Sequence, residues 1–175
     1  MEKKTIKIKQ ASFSQSINIS AQWCREWGED LLSEEVLADR VAELIKTKNG
    51  LRGFFAYALS DKDCYLLDKL PSSIIFKFIE GGEDVVKIVV KNLIMSSAQI
   101  VVHQRENNLE YMSSSKNISD RCKAILQLLE TKLVTNTINE LIKELDNLGN
   151  SFDQSVKYDY EQKEFIKQQI HEIAQ

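Results

Sequence analysis

The amino-acid sequence predicts a mainly α fold: a bundle of about five or six helices around one long central helix, residues 83–105. Three observations carry that expectation. The segment Glu83 to Arg105, EDVVKIVVKNLIMSSAQIVVHQR, contains no Gly or Pro and is apolar almost all the way round. A surface helix carries its apolar residues on one stripe, so such a segment belongs in the middle of other helices. The whole chain of 175 residues has one proline and six glycines, too few for a loop-rich sandwich. Several further stretches repeat apolar residues at the i, i+3, i+4 spacing of an amphipathic helix.

Along the chain, Ile6 and Ile8 flank Lys7, and Ile17 and Ile19 flank Asn18. This period of two reads as a short amino-terminal β-hairpin within residues 1–20, or as a flexible arm. From Ser20 to about Leu32 a short helix would place Trp23, Trp27 and Leu31 on one face. Ser33 followed by Glu34 and Glu35 marks a helix start, and Leu37, Val41, Leu44 and Ile45 form its stripe. Gly50 is placed to end that helix as a left-handed cap. Residues 51–60, with Phe54, Phe55, Tyr57 and Leu59, fit a buried strand or a short helix. Pro71 opens a helix that stops at Gly81-Gly82.

On the central segment, Val86, Val89, Val90, Leu93, Ile94, Ile100 and Val101 share a broad face. Ile88, Met95 and Val102 lie opposite, so neighbours are expected on two sides. Its valines leave a strand over 85–90 as the alternative. A loop is expected from Asn107 to Ser119, then a helix from Ser119-Asp120 through Cys122, Ile125, Leu126, Leu129 and Leu133. Thr137 with Glu140 fits a fresh capping box, so 119–148 is one helix or two. Val134, Ile138, Leu141, Leu145 and Leu148 step four-three-four-three, the spacing of a coiled-coil seam. A last helix, about Lys157 to Ala174, aligns Phe165, Ile166, Ile170 and Ile173. With no repeat and no Pro-rich linker, residues 1–175 read as a single helical domain.

Composition excludes several function classes. A hydrophobic share of 43% and a charged share of 28% belong to a globular protein. The formal net charge of −3 gives no footprint for nucleic acid, and the lysines at positions 3, 4, 7 and 9 come without aromatic or Arg company. Cys24, Cys64 and Cys122 are far apart, with two histidines in the chain, so no structural metal site is expected. Thiols read as reduced, and a start MEKKTIKIKQ without an apolar run of leader length, point to the cytoplasm. Lys87, Lys91 and Asn92 inside the central segment count against a membrane span.

No catalytic set is legible, no cofactor is implied, and no phosphate loop occurs. The best polar constellation is Asn92, Ser96, Gln99 and His103, at steps of four, three and four, followed by Arg105. Polar groups on a buried helix need partners, which are protein, water or ligand. Arg52, between Gly50 and Gly53, has the planar fork that clamps a carboxylate or phosphate. Trp23 and Trp27 are candidate interface anchors, and the Val134–Leu148 seam a candidate homodimer contact. Together these give the expectation of a non-catalytic cytoplasmic domain for protein interaction or regulation, self-associating as a homodimer. The alternative is a small-ligand domain with a polar cleft near Arg52 and His103.

Overall fold

The structure is a computed structural model in which residues 8–148 and 157–173 are described, with residues 146–148 as backbone. The described residues contain a 3-10 turn, Ile8–Gln10, and α-helices α1 (Phe13–Gly28), α2 (Glu34–Ile45), α3 (Lys48–Ser60), α4 (Ser72–Arg105), α5 (Leu109–Leu128), α6 (Thr131–Leu148) and α7 (Tyr160–His171). No strand occurs among them. The chain divides into two compact units, Met1–Val85 and Val86–Gln175, and the division falls within α4.

In the first unit the expected β-hairpin is replaced by helix. Ser12 is the reason. Its hydroxyl accepts from the Gln15 amide at 3.2 Å while the Gln15 side-chain oxygen accepts from the Ser12 amide at 2.8 Å. This capping box starts α1 at Phe13 and satisfies two amides that no helical carbonyl reaches. Ser16, Ser20, Trp23 and Cys24 then form the buried stripe, so the Ile17/Ile19 alternation had no structural content. Ile6 lies outside the described residues. Leu31 is 73% exposed beyond the end of α1, off the face that Trp23 defines.

α2 begins at the Ser33 cap, as the sequence implied, and buries Leu37, Ala38, Val41, Leu44 and Ile45. Gly50 does not end it. The Thr47 hydroxyl accepts from the Gly50 amide at 3.0 Å and starts α3 at once, which also resolves residues 51–60 as helix. A Cβ at Gly50 would sit 1.9 Å from the Leu44 carbonyl oxygen, so the tight α2–α3 corner requires glycine. α3 packs against α1 and α2. Its Phe54 and Phe55 rings meet Phe78 of α4 at centroid distances of 6.0 and 5.2 Å. Each such fully buried ring is worth about 1.5–3 kcal/mol over an exposed one.

Pro71 does open α4: its carbonyl accepts from Ile74 and Ile75. The end expected at Gly81-Gly82 is present as a break within α4. The helix is interrupted at Gly82, with φ 57° and ψ −135°, a backbone conformation that favours glycine, and resumes. The expected central helix 83–105 is thus the second part of a longer element.

In the second unit, Val86, Val89, Val90, Leu93, Ile94, Ala98, Ile100 and Val101 of α4 are buried, and the strand alternative for 85–90 falls. The expected loop 107–119 is mostly helix. Asn107 turns the chain with φ 52°, and the Asn108 side-chain oxygen caps α5 by accepting from the Tyr111 amide at 3.2 Å. Residues 119–148 form two helices, broken at Leu129-Glu130 rather than at 135–137. α7 begins at Asp159 in a second capping box, with Gln162. Lys123 of α5 donates to Gln169 of α7 and to Glu172, the residue that caps its end, at 3.0 and 2.7 Å.

The α1–α3 crossing gives a direct test. A Cβ on Gly53 would lie 2.4 Å from the Ser16 Cβ. Gly53→Ala should therefore destabilise the fold by about 1–3 kcal/mol through overpacking, although alanine is the better helix former. Denaturant melts of Gly53→Ala against wild type check this, since the Phe13 carbonyl oxygen at 3.0 Å and the Ile17 nitrogen at 3.1 Å are backbone atoms that cannot turn aside.

Candidate functional site

The polar strip of α4 finds its partners largely within its own helix. Asn92 Nδ2 donates to the Ile88 carbonyl at 2.8 Å, and the Ser96 hydroxyl donates to the Leu93 carbonyl at 3.1 Å. Gln99 is exposed. His103 packs its ring on Tyr111 of α5, with centroids 5.6 Å apart and a 41° tilt. Its buried Nδ1 has no hydrogen bond, and Glu106 at 3.7 Å is beyond hydrogen-bond reach.

Arg105 is held by the second unit itself. Its guanidinium donates to both carboxylate oxygens of Asp159, at 2.6 and 3.1 Å, and to Glu161. This pairing ties the last turn of α4 to the first turn of α7, where carboxylates also favour the helix dipole. Arg105 beside Asp159, helped by the Gln162 amide, pulls that carboxyl down to about 2. Arg52 belongs to the first unit, on the exposed side of α3, with its guanidinium carbon 5.1 Å from the centre of the Phe13 ring. The residues foreseen around a polar cleft are therefore divided between the two units.

Of the candidate anchors, Trp23 is buried, with the Arg40 guanidinium carbon 5.8 Å from its ring centre, and Trp27 is half-buried. Val134, Ile138, Leu141 and Leu145 are 9% exposed or less. Their four-three spacing describes the packed face of α6. The Leu148 side chain lies outside the described residues.

Two surfaces of the second unit emerge from the packing of its helices. One is a groove of about 460 Å³ among the end of α5, α6 and α7, walled by Leu126, Val134, Ile138, Ile142, Ile170 and Ile173. Gln127, Asn139 and His171 add polar atoms to it. The signal was available only as three separate amphipathic helices, since a groove is a property of how they pack. The other is a partly exposed strip of α4: Ile88, Asn92, Met95, Gln99 and Val102. At 100° per residue these five fall within about 80° of arc. Met95 is 56% exposed, Gln99 is exposed, and the other three are half-buried. Of the second apolar side of the central helix, Met95 is exposed while Ile88 and Val102 are partly covered. By length and composition α4 could cross a membrane, but 61% of its most apolar window is buried.

Among the described residues no group of three or more His, Cys, Asp or Glu is arranged to hold a metal ion. Residues 12–173 match the model of a family described as "Uncharacterised conserved protein UCP020893". The chain belongs to that family. The match runs from the Ser12 cap of α1 to just beyond α7, so the family's shared region takes in every α-helix described above. No curated protein and no solved structure matches the chain.

The Arg105 pairing predicts a pH response of definite sign. The folded Asp159 carboxyl lies below its ordinary value near 3.8, so its contribution is present above that value and fades as pH falls toward about 2. Carboxyl NMR titration should place the Asp159 midpoint near 2, and Arg105→Gln should move it up toward 3.8. Added salt should shrink the difference, because all the partners are exposed.

Proposed function

We propose that the chain is a non-catalytic helical interaction domain that self-associates through the exposed strip of α4. The observation that carries this reading is the spacing of Ile88, Asn92, Met95, Gln99 and Val102: four, three, four, three. That is the spacing by which two helices mesh knobs into holes. It falls on side chains that are exposed or half-buried, unlike the same spacing on α6.

A second copy of the chain is the occupant this strip fits. Apolar residues at three positions alternate with amides at two. Two such strips brought together can set apolar against apolar and amide against amide. Buried seam amides of this kind lower affinity but fix the register of the pairing. The strip spans about 20 Å at 1.5 Å per residue. A contact that short lies at the small end of protein interfaces, which suits reversible, concentration-dependent association. A cytoplasmic setting accords with three buried cysteines, none of them in a disulfide.

Sedimentation equilibrium over a wide concentration range tests the proposal. The wild-type mass should rise from monomer toward dimer. Met95→Glu should remain monomeric with its thermal melt within about 0.5 kcal/mol of wild type, as befits a surface change. A wild type that stays monomeric at millimolar concentration, or a Met95→Glu protein that dimerises equally well, rejects it.

A second reading, small-ligand binding, is favoured by the groove on α5–α7 rather than by the polar strip. Its volume of about 460 Å³ lies in the range of ligand sites, and its walls suit an apolar molecule. Medium-chain fatty acids should raise Tm in the wild type. They should lose that effect in Ile142→Trp, which fills the groove. An equal shift in both proteins places binding elsewhere.

A further inference from the structure

We infer that the groove among α5, α6 and α7 takes a single-chain amphiphile with an uncharged, hydroxyl-bearing head, the class of a monoacylglycerol, its chain along α6 and its head where three helix termini meet. The inference rests on the second reading above, that this groove holds a small ligand. It adds which end receives which part of that ligand and why the head carries no charge.

The three termini lie at one end of the groove. Gln127 is in the last turn of α5, Thr131 is the first residue of α6, and His171 is the last residue of α7. All three line the groove, and all three are exposed. Lys123 of α5 fixes the meeting by donating to Gln169 and Glu172 at the close of α7. An amide and a hydroxyl each donate and accept, and a neutral imidazole does the same. Alcohol groups also do both, so this end matches a head built of them.

From there the groove follows α6. At about 100° per residue, Val134 and Ile138 lie toward the core, Ile142 comes next, and Thr135 and Asn139 form the outer margin. Exposure grades the same way: the first two are buried, Ile142 is half-buried, and the last two are exposed. Leu126 of α5 and Ile170 of α7, both buried, supply the facing wall. A trough that is apolar within and polar at its lip fits one extended alkyl chain. Its volume of about 460 Å³ suits a ligand of that size.

Charge decides the head. Among the described residues that line the groove there is no Lys, Arg, Asp or Glu. α5 and α7 both finish at the head end and present the negative ends of their dipoles, whereas α6 alone begins there. Of the charged residues next in sequence to Gln127, Thr131 and His171, Glu130 and Glu172 are acidic and Lys132 is basic. The Lys123 ammonium is already held by Asp120 and Glu172. A carboxylate or phosphate head would lose water without gaining an ion partner in the groove, a cost that an alcohol head escapes.

Calorimetric titration of the whole chain tests this, near pH 8, where free imidazole is neutral. Monodecanoylglycerol and decanoate carry chains of the same length, and each is added below its micelle concentration. Monodecanoylglycerol should bind roughly tenfold tighter than decanoate. Gln127→Met, at an exposed position, should weaken monodecanoylglycerol roughly fivefold, the net worth of one hydrogen bond, and so narrow the gap. Ile142→Trp should remove binding of both. Decanoate binding as tightly as monodecanoylglycerol, or tighter, overturns the uncharged head while leaving the groove a ligand site. A gap that Gln127→Met leaves unchanged overturns the placement of the head. No binding of either ligand, or binding of both that survives Ile142→Trp, overturns the groove reading and this inference with it. The comparison of the two ligands on the wild type stands without either variant.

Discussion

On either side of its break at Gly82, α4 carries an apolar face, and covering that face is the constraint to which the helices of each unit answer. A helix meets its own backbone hydrogen bonds internally, so it can be buried without stranding amides, provided its side chains find cover. In the first unit Ile74 and Phe78 are fully buried, and Phe78 is met by the two rings of α3. In the second unit the buried positions run from Val86 to Val101, with Gln162 of α7 donating to the Ala98 carbonyl at 3.3 Å. The shorter helices are amphipathic because each gives one face to a core and the other to water.

The elements legible from sequence were those whose burial follows a simple period. α2, with its Ser33 cap and Leu37–Ile45 stripe, and the helical nature of 83–105 are of this kind. The failures have a common cause. Helix starts are set by one or two hydrogen bonds, and these do not show in apolar periodicity. The Ser12–Gln15 box turned an apparent hairpin into α1, the Thr47–Gly50 bond turned a helix end into a helix start, and Asn108 extended α5 back through an apparent loop. Glycine was also misread. At Gly50 and Gly53 it serves close approach, and among the described glycines a positive φ occurs only at Gly82.

The candidate site was less legible still, because a site is a relation between elements. Sequence spacing correctly put Asn92, Ser96, Gln99 and His103 along one side of a helix. It did not reveal that Asn92 and Ser96 bond to carbonyls one turn back, which satisfies them without a ligand. Arg105 was read as part of a ligand cleft, whereas Asp159 and Glu161, more than fifty residues on, hold its guanidinium.

The two strips that sequence reading kept apart on α4, amide and apolar, interleave on one arc. Positions 88, 95 and 102 are apolar, and positions 92 and 99 between them are amides. This mixture has physical consequences that neither kind alone would have. A wholly apolar arc of that length would be a patch prone to indiscriminate association. A wholly polar one would gain little on leaving water. Alternating the two keeps the exposed apolar area small around Met95 and gives a partner helix a register to satisfy, since a slip of one layer sets an amide against a methyl group. Selectivity of contact, more than strength, is what such an arc can supply.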